Sequence, residues 1–361
     1  MRVILSGAGG RLGVMHARAL KKADPSIHLI GVDADPFRIH RAATDEIHLV
    51  PRSSDPDFIP AVREIVRQTR ADLLLTNVTV DIPVISAARD EIGCRTFLPP
   101  HETVQLCEDK ARSNEVWQSA GVPVPRSMSI NGPQDLERAF RDLGEDLWLR
   151  AVSGSGARGA LPVSDMETGV RWVELNNGWG RFMAAERMGA ETISWESVWR
   201  DGELIVAQCR KRLYWEFGRI AMSGVSGIAG AGEAVSDPEV NRIGEAAVRA
   251  VADRPHGILG VDLAYDRDGT PRVTEINPGR FMSGGVCHFA AADFNIPGVA
   301  VRVAMGEDPG FAPPLLNPVT QGLIFVSGLD TEPAFTTHAS VNDLRYAMAS
   351  RLSLSKRAAR H

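Results

Sequence analysis

Hydrophobic positions along the first ~100 residues fall into two alternating rhythms. Arg2-Val3-Ile4-Leu5 is a short apolar run that ends in Ser6-Gly7-Ala8-Gly9-Gly10, and helical spacing follows through Leu20 and Lys21. Ile27 to Val32 is a second run, closed by Asp33-Ala34-Asp35-Pro36, and Ile47-His48-Leu49-Val50 is a third. Pro60 to Arg70 has a helical period, with Val62, Ile65 and Val66 on one face, and Ala71 to Thr76 is a fourth strand. Runs so continuously apolar suit central strands of a parallel sheet with helices on both faces. Strand–helix alternation at this spacing predicts a doubly wound, Rossmann-like α/β unit.

Beyond about residue 100 the pattern changes. Glu108 to Ala120 reads as a helix, ended by Gly121-Val122-Pro123-Val124-Pro125, because paired prolines cannot continue it. Strand signals recur at Leu147–Arg150, Phe182–Arg187, Ile193–Trp199 and Leu204–Cys209. Ser153–Gly159 is a glycine-rich turn, and a second glycine-rich stretch, Ser223–Gly232, precedes a helix expected from about Pro238 to Ala252. Gly260–Tyr265 and Arg272–Ile276 flank Asp266-Arg267-Asp268-Gly269, a strong hairpin signal. The last ~30 residues are basic and weakly patterned, which predicts a solvated helix or a frayed tail. No internal repeat is visible.

Composition narrows the class. The 361 residues suggest two or three domains at ~150 residues each. The net charge of −5 excludes the basic footprint of a dedicated nucleic-acid binder. Cys94, Cys107, Cys209 and Cys287 are far apart and form no CxxC or Cys/His cluster, so neither zinc nor a disulfide framework is suggested. No apolar run approaches the ~18 residues that span a bilayer, and the N-terminus lacks a signal-peptide layout. A soluble, cytoplasmic, multi-domain protein without membrane or nucleic-acid partners is expected, with a homodimer as the default assembly.

The first chemical candidate is Gly7-x-Gly9-x-x-x-Gly13, between a strand and a helix, with Asp33 ending the next strand. Such a turn aims backbone N–H groups at an anion, and Asp33 stands where a ribose-binding acid would. The spacing is not GxGxxG, and any tight strand-to-helix turn favours glycine. Dinucleotide binding and a structural turn both remain open here, although the chain shows no hydride-transfer site.

The second candidate is the hairpin. Asp262 and Glu275 lie on its two arms, and Asn277 follows Glu275 by two residues on the same strand side. Two carboxylates and an amide oxygen make a hard-oxygen site suited to Mg²⁺, which takes the rest of its shell from water and phosphates. Arg280 follows and could neutralise phosphate or carboxylate charge. Upstream, Lys110 opens a helix, Arg150 ends a strand, and the loop Ser153, Gly154, Ser155, Gly156 to Gly159 is rich in backbone donors. With Arg158 these form a cationic set suited to phosphates, and the loop could close over a triphosphate. No GxxxxGK[ST] is present, so this is not a P-loop protein.

These pieces together resemble the ATP-grasp superfamily, in the branch of the carbamoyl-phosphate synthase large subunit. The matching residues are Asp109-Lys110, Gly121-Val122-Pro123-Val124-Pro125, Leu149-Arg150 with Ser153–Gly159, Glu186-Arg187-Met188-Gly189-Ala190-Glu191, and Asp262 with Glu275-Ile276-Asn277-Pro278-Gly279-Arg280. The resemblance covers about residues 1–310. It implies a pre-domain over 1–105, a small lid subdomain over 106–190, a catalytic subdomain over 191–330 and a basic tail over 331–361. Lys110 and Arg150 would then hold the nucleotide phosphates. Glu186, Arg187 and Met188 would form the hinge that meets adenine, and Glu191 would hold the ribose. Asp262, Glu275 and Asn277 would carry one or two Mg²⁺ ions, with Mn²⁺ as an alternative, and Arg280 would steady the transferred phosphoryl group. The implied activity is a carbon–nitrogen ligase. ATP phosphorylates a substrate carboxylate, and an amine displaces phosphate from the acyl phosphate to give an amide or peptide-like bond.

Within Arg210-Lys211-Arg212, Arg210 is the favoured residue to reach ATP or substrate. Ser283-Gly284-Gly285 reads either as an ordinary helix start or as one that faces an acceptor carboxylate. Trp195, Trp199 and Trp215 read as core or interface. Cys287 and His288 have no partner at catalytic spacing. Two other functions compete: an NAD(P) oxidoreductase, sensitive to Gly9 and Asp33 and indifferent to Asp262, and an ATP-binding protein without catalysis.

Overall fold

The computed structural model describes residues 1–154, 159–282, 285–328, 334–339 and 342. Three sheets organise them. The first contains β1 (Arg2–Ser6), β2 (His28–Asp33), β3 (Glu46–Leu49), β4 (Leu73–Leu75) and β5 (Arg95–Thr96). They are all parallel, in the order β3-β2-β1-β4-β5. Successive side chains of β1 leave by opposite faces. Val3 and Leu5 pack with Leu12, Met15 and Leu20 of the helix Arg11–Ala23. Ile4 packs with Phe58, Val62 and Val66 of the helix Phe58–Thr69. Both faces are covered, which is why these strands read as unbroken apolar runs.

The second sheet contains β6 (Ser127–Ile130), β7 (Leu147–Ala151), β8 (Leu161–Val163) and β9 (Phe182–Glu186), antiparallel in the order β6-β9-β7-β8. The helices Pro133–Leu143 and Met166–Leu175 close its core through Leu136, Ala139 and Val173.

The third sheet is the largest. It holds β10 (Thr192–Arg200), β11 (Glu203–Trp215), β12 (Ala229–Val235), β13 (Gly257–Tyr265), β14 (Pro271–Pro278), β15 (Leu315–Leu316), β16 (Ile324–Val326) and β17 (Ala334–Thr336). The order is β14-β13-β10-β11-β12-β16-β17, with β15 parallel beside β11. Ile193, Trp195, Cys209, Val261 and Ile276 point to one face and pack on Val240, Ile243 and Ala247 of the helix Pro238–Val251. The opposite face carries Ser194, Glu196 and Asp262 along one part of its strands and apolar Val198, Val206 and Ile258 along another. The first core also takes in Val198, Val206 and Ile258 of the third sheet and Val299 and Val303 of the helix Ile296–Ala304, so the parallel sheet and the large sheet share one apolar interior.

Several elements differ from the pattern-based reading. The helix expected from Glu108 to Ala120 is broken. His101–Glu108 ends, Asp109 turns extended, and Lys110–Ser119 begins. The Asp109 carboxylate accepts from the N–H groups of Ala111 and Arg112, an N-cap that hydrophobic periodicity does not register. We expect Asp109→Ala to lower stability by about 1 kcal/mol, read by urea denaturation. The glycine-rich stretch Ser223–Gly232, to which the pattern assigns no element, is strand from Ala229. Gly232 has no side chain because a Cβ there would lie 2.7 Å from the Phe325 ring. The expected strand Leu204–Cys209 extends to Trp215. The stretch 331–361, expected as a solvated helix or frayed tail, contributes β17, antiparallel to β16. Most of its remaining positions lie outside the described residues.

Candidate active site

On the large sheet, the polar part of the face opposite the helix Pro238–Val251 gathers residues that are distant in sequence. Arg210 of β11 pairs in register with Ser194 of β10, Ser194 with Asp262 of β13, and Asp262 with Glu275 of β14. One row across the sheet thus carries a cation, a hydroxyl and two acids. The adjacent row runs from Gln208 through Glu196 and Gly260 to Asn277. A bulge after Asp262 leaves Thr274 unpaired between Val273 and Glu275. It lets Val273 and Ile276 both enter the core while Glu275 and Asn277 face the site.

Cations from three elements meet these acids. Arg212 of β11 forms an ion pair with Asp262 and lies over the Trp215 ring, 4.7 Å from its centroid. Lys110 Nζ is 3.5 Å and Arg150 Nη1 is 3.9 Å from Glu275 Oε2. Arg150 Nη2 donates to the Thr274 carbonyl at 2.7 Å, which ties β7 of the smaller sheet to β14 of the larger. Lys110 Nζ also donates to the Gly154 carbonyl at 2.6 Å. Burial pushes the pKa values of Lys110 and Arg150 down, and the Glu275 carboxylate opposes the shift.

Asn277 Nδ2 donates to Asp262 Oδ2 at 3.1 Å, and Asn277 Oδ1 accepts from Arg280 Nη2 at 2.9 Å. Arg280 Nε donates to Thr79 Oγ1 at 3.0 Å, so the loop after β4 of the parallel sheet helps to hold this arginine. The Thr76 hydroxyl reaches the Gly279 carbonyl at 2.5 Å. Gly279, between Pro278 and Arg280, has φ +76° and lies where a Cβ would be 2.6 Å from Leu98 Cδ2, so both its conformation and its packing require glycine.

The remaining sequence candidates have varied surroundings. The Glu186 carboxylate accepts from the backbone N–H and Nε of Arg126, both at 2.9 Å. Arg187 is exposed and Met188 half-buried. Glu191 pairs with Lys211 at 2.5 Å, beside the stretch of β11 that carries Arg210 and Arg212. Ser153 and Gly154 are exposed. Gly159 has φ +74°, and its carbonyl accepts from Trp172 Nε1 at 2.9 Å. Ser155, Gly156 and Arg158 lie outside the described residues, as do Ser283 and Gly284. Arg210 is buried and faces Glu196, with 3.8 Å between Nε and Oε1. Trp195 and Trp199 are core, with ring centroids 6.4 Å apart.

Sequence reasoning singled out neither Thr274 nor Glu196, pointed to the Asn77–Asp81 loop without picking Thr79, and preferred Arg210 to Arg212 within the run of three. The period of two places Arg212 on the same strand face as Arg210, and this was the signal available for it. Thr79 and Thr274 act through contacts that only the folded chain creates.

The N-terminal turn is closed by the chain itself. Asp33 is almost fully buried. It accepts from Gly9 N at 3.2 Å and pairs with Arg38 at 3.2 Å. A Cβ on Gly9 would lie 2.0 Å from the Arg38 carbonyl oxygen, one on Gly13 2.3 Å from the Gly7 oxygen, and one on Gly7 2.1 Å from Val78 Cγ2. The acid that would hold a ribose is already occupied, and the glycines are explained by close packing.

Two buried histidines give the chain a defined pH response. Burial pushes His16 down to about 4 and His288 down to about 3. Both folded values lie below the ordinary 6.5, so their contribution to stability is full above pH 6.5. It is lost as pH falls towards the folded values, where the unfolded chain binds protons that the folded chain does not. We expect His288→Phe to lose less stability than the parent between pH 7 and pH 5 in urea titrations; an equal loss would contradict this reading.

Among the described residues no helix is long and apolar enough to cross a membrane. No protein-family model matches the chain. Its fold is the ATP-grasp fold, preceded by a parallel α/β sheet. Among solved structures it is similar to the biotin carboxylase domain of Hydrogenobacter thermophilus 2-oxoglutarate carboxylase in complex with MgADP, ADP and bicarbonate. The TM-score is 0.69 at 16% identity, over 90% of this chain and 73% of that one. It is also similar to the L-amino acid ligase of Bacillus licheniformis, with TM-score 0.67 at 17% identity over 90% and 78%. By sequence it resembles the carbamoyl phosphate synthase large chain of Methanoculleus marisnigri, 22% identical over 309 residues. That match takes in 81% of this chain and 28% of the relative, so the chain spans less than a third of the curated relative's length.

Proposed function

We propose that the chain is an ATP-dependent ligase that activates a small-molecule carboxylate as an acyl phosphate and joins it to an amine. The observation that carries this reading is the convergence of Lys110 and Arg150, from outside the large sheet, on Glu275 of its hairpin, beside Arg212 on Asp262 and Arg280 on Asn277. Cations spaced around two acids and an amide oxygen suit a polyphosphate and its counter-ion.

Asp262, Glu275 and the Asn277 amide oxygen are hard oxygen donors on one strand face, and in this structure positive side chains meet them. That set fits Mg²⁺ in one or two positions, with Mn²⁺ as an alternative. When bound, the ion supplies positive charge at the transferred phosphoryl oxygens.

The chain's own part is positioning and charge. Lys110 and Arg150 hold the β- and γ-phosphates as a point charge and a planar fork. Glu186–Met188, at the end of β9, would meet the base, and Glu191, paired with Lys211 of β11, the ribose. Arg280, fixed by Thr79 and Asn277, holds the phosphoryl group as it moves to the carboxylate oxygen. No protein nucleophile is required, because the acceptor oxygen and then the amine nitrogen supply the electron pairs. Residues 1–105 would serve as a platform, 106–190 as a lid and 191–330 as the catalytic floor.

The test is ADP release with ATP and Mg²⁺ across panels of carboxylic acids and amines. Release that requires one acid and one amine together, with equal formation of amide, supports the reading. Nucleotide binding without ADP formation across the panels would replace it with non-catalytic ATP binding.

A further inference from the structure

Beside the acids, the same sheet face carries a second polar cluster. Arg210 and Glu196 are each about 1% exposed, and their nearest approach of 3.8 Å is too long for a hydrogen bond. Arg210 Nε and Nη1 have no acceptor, Glu196 Oε1 has no donor, and neither ring nitrogen of His288 has a partner. The other Glu196 oxygen accepts from Met282 N at 3.1 Å. His288 is fully buried and stacked on Phe325 at 4.3 Å. A Cβ on Gly232 would lie 2.7 Å from the Phe325 ring and 3.1 Å from Arg210 Cδ, so ring and guanidinium stem both pack against Gly232. A Cβ on Gly285 would meet Glu196 Oε1 at 1.7 Å, which brings the helix of His288 against the same carboxylate.

Buried donors and acceptors without partners are rare because each forfeits its hydration. Here they are concentrated beside a candidate catalytic row and are of both kinds: Arg210 keeps free donors and Glu196 a free acceptor, 3.8 Å apart. A ligand of one sign would satisfy one and leave the other stranded. A ligand with one positive and one negative end would satisfy both.

We propose that Arg210 and Glu196, backed by His288, form a subsite for the head group of an α-amino acid, with its carboxylate on the Arg210 fork and its ammonium on Glu196. Adjacent Nε and Nη1 donors suit a carboxylate bidentately. Arg210 and Asp262 stand two strand spacings apart, about 10 Å, so a short molecule spans from anchor to reacting phosphoryl group. Resting on the ligase reading, the amino acid is the amine co-substrate. Its ammonium passes a proton to Glu196, whose burial raises its pKa to about 7. The freed nitrogen attacks the acyl carbon, a C–N bond forms, and the C–O bond to phosphate breaks. Phosphate leaves with that electron pair and takes the second nitrogen proton.

Calorimetric titration of the full chain with the common amino acids, without ATP, tests the subsite apart from turnover. Each amino acid is set against its decarboxylated amine and its deaminated acid, such as alanine against ethylamine and propionate. We expect at least one amino acid to bind at least ~10-fold more tightly than both analogues, because either loss strands a buried partner. We expect Arg210→Lys, checked for folding by its melting curve, to weaken that binding by about 10-fold or more. No binding by any amino acid, or equal binding of the analogues, overturns the proposal, and this comparison stands even if the variant does not fold. Selective amino-acid binding without ADP release supports the subsite and removes the ligase reading.

Discussion

Glu275→Gln is expected to lower acid-dependent ADP formation by at least ~100-fold while the protein keeps its fold. The carboxylate sits between Lys110 at 3.5 Å and Arg150 at 3.9 Å and is the register partner of Asp262. Glutamine preserves its shape and one oxygen but removes the negative charge that a bound divalent cation needs. Loss of one preorganised electrostatic contact at a reacting centre costs ~10²–10³ in rate. Stability is expected to change by no more than about 1 kcal/mol, because the ion pairs are partly solvated and neither makes a short contact. The measurement is steady-state ADP release alongside a urea melt. Full activity in a folded Glu275→Gln protein would show that the hairpin is not the metal-binding floor.

Gly9→Ala is expected to destabilise the chain by about 3 kcal/mol, the upper end of the range for overpacking a rigid site. The new Cβ would lie 2.0 Å from the Arg38 carbonyl oxygen and 2.3 Å from its carbonyl carbon. Those are backbone atoms, which cannot rotate away as a side-chain tip can. The parent protein is expected to show no saturable quenching or enhancement of NADH fluorescence. Tight NADH binding, abolished in Gly9→Ala at unchanged stability, would return the turn to the role of a dinucleotide site.

The two substitutions separate two kinds of glycine and acid signal that look alike in one dimension. Asp33 and Asp262 both end or interrupt apolar runs, and both lie near glycines. Asp33 is saturated by Gly9 N and Arg38, whereas Asp262 shares one face with Glu275, Asn277 and Arg212. Burial and partner identity distinguish them, and neither can be read from spacing.

Unbroken apolar runs located β1, β2 and β4, which are buried on both faces, and strand or helical patterning located β10, β13, β14 and the helix Pro238–Val251. The hairpin acids were legible from the same patterning: a two-residue strand period forces Glu275 and Asn277 to one side. Backbone hydrogen bonding without a strong apolar stripe was less visible. Thus β12, built from Ala229 to Val235 with glycines packed under Phe325 and Tyr214, resembles a loop in one dimension. The Asp109 break likewise depends on a cap rather than on periodicity.

Local chemistry, then, resides in the sequence: which residues alternate, which can bind hard cations or phosphate, and which turns demand glycine. Partners reside in the tertiary structure. Arg212, rather than Arg210, meets Asp262, and Thr79 reaches Arg280 across about 200 positions of chain. Arg210 turns instead to Glu196 and His288 in a buried cluster. Those choices follow from strand order, the bulge at Thr274 and the packing of the parallel sheet against the large one. Each joins residues far apart along the chain, whereas patterning reports only which side of its own element a residue faces.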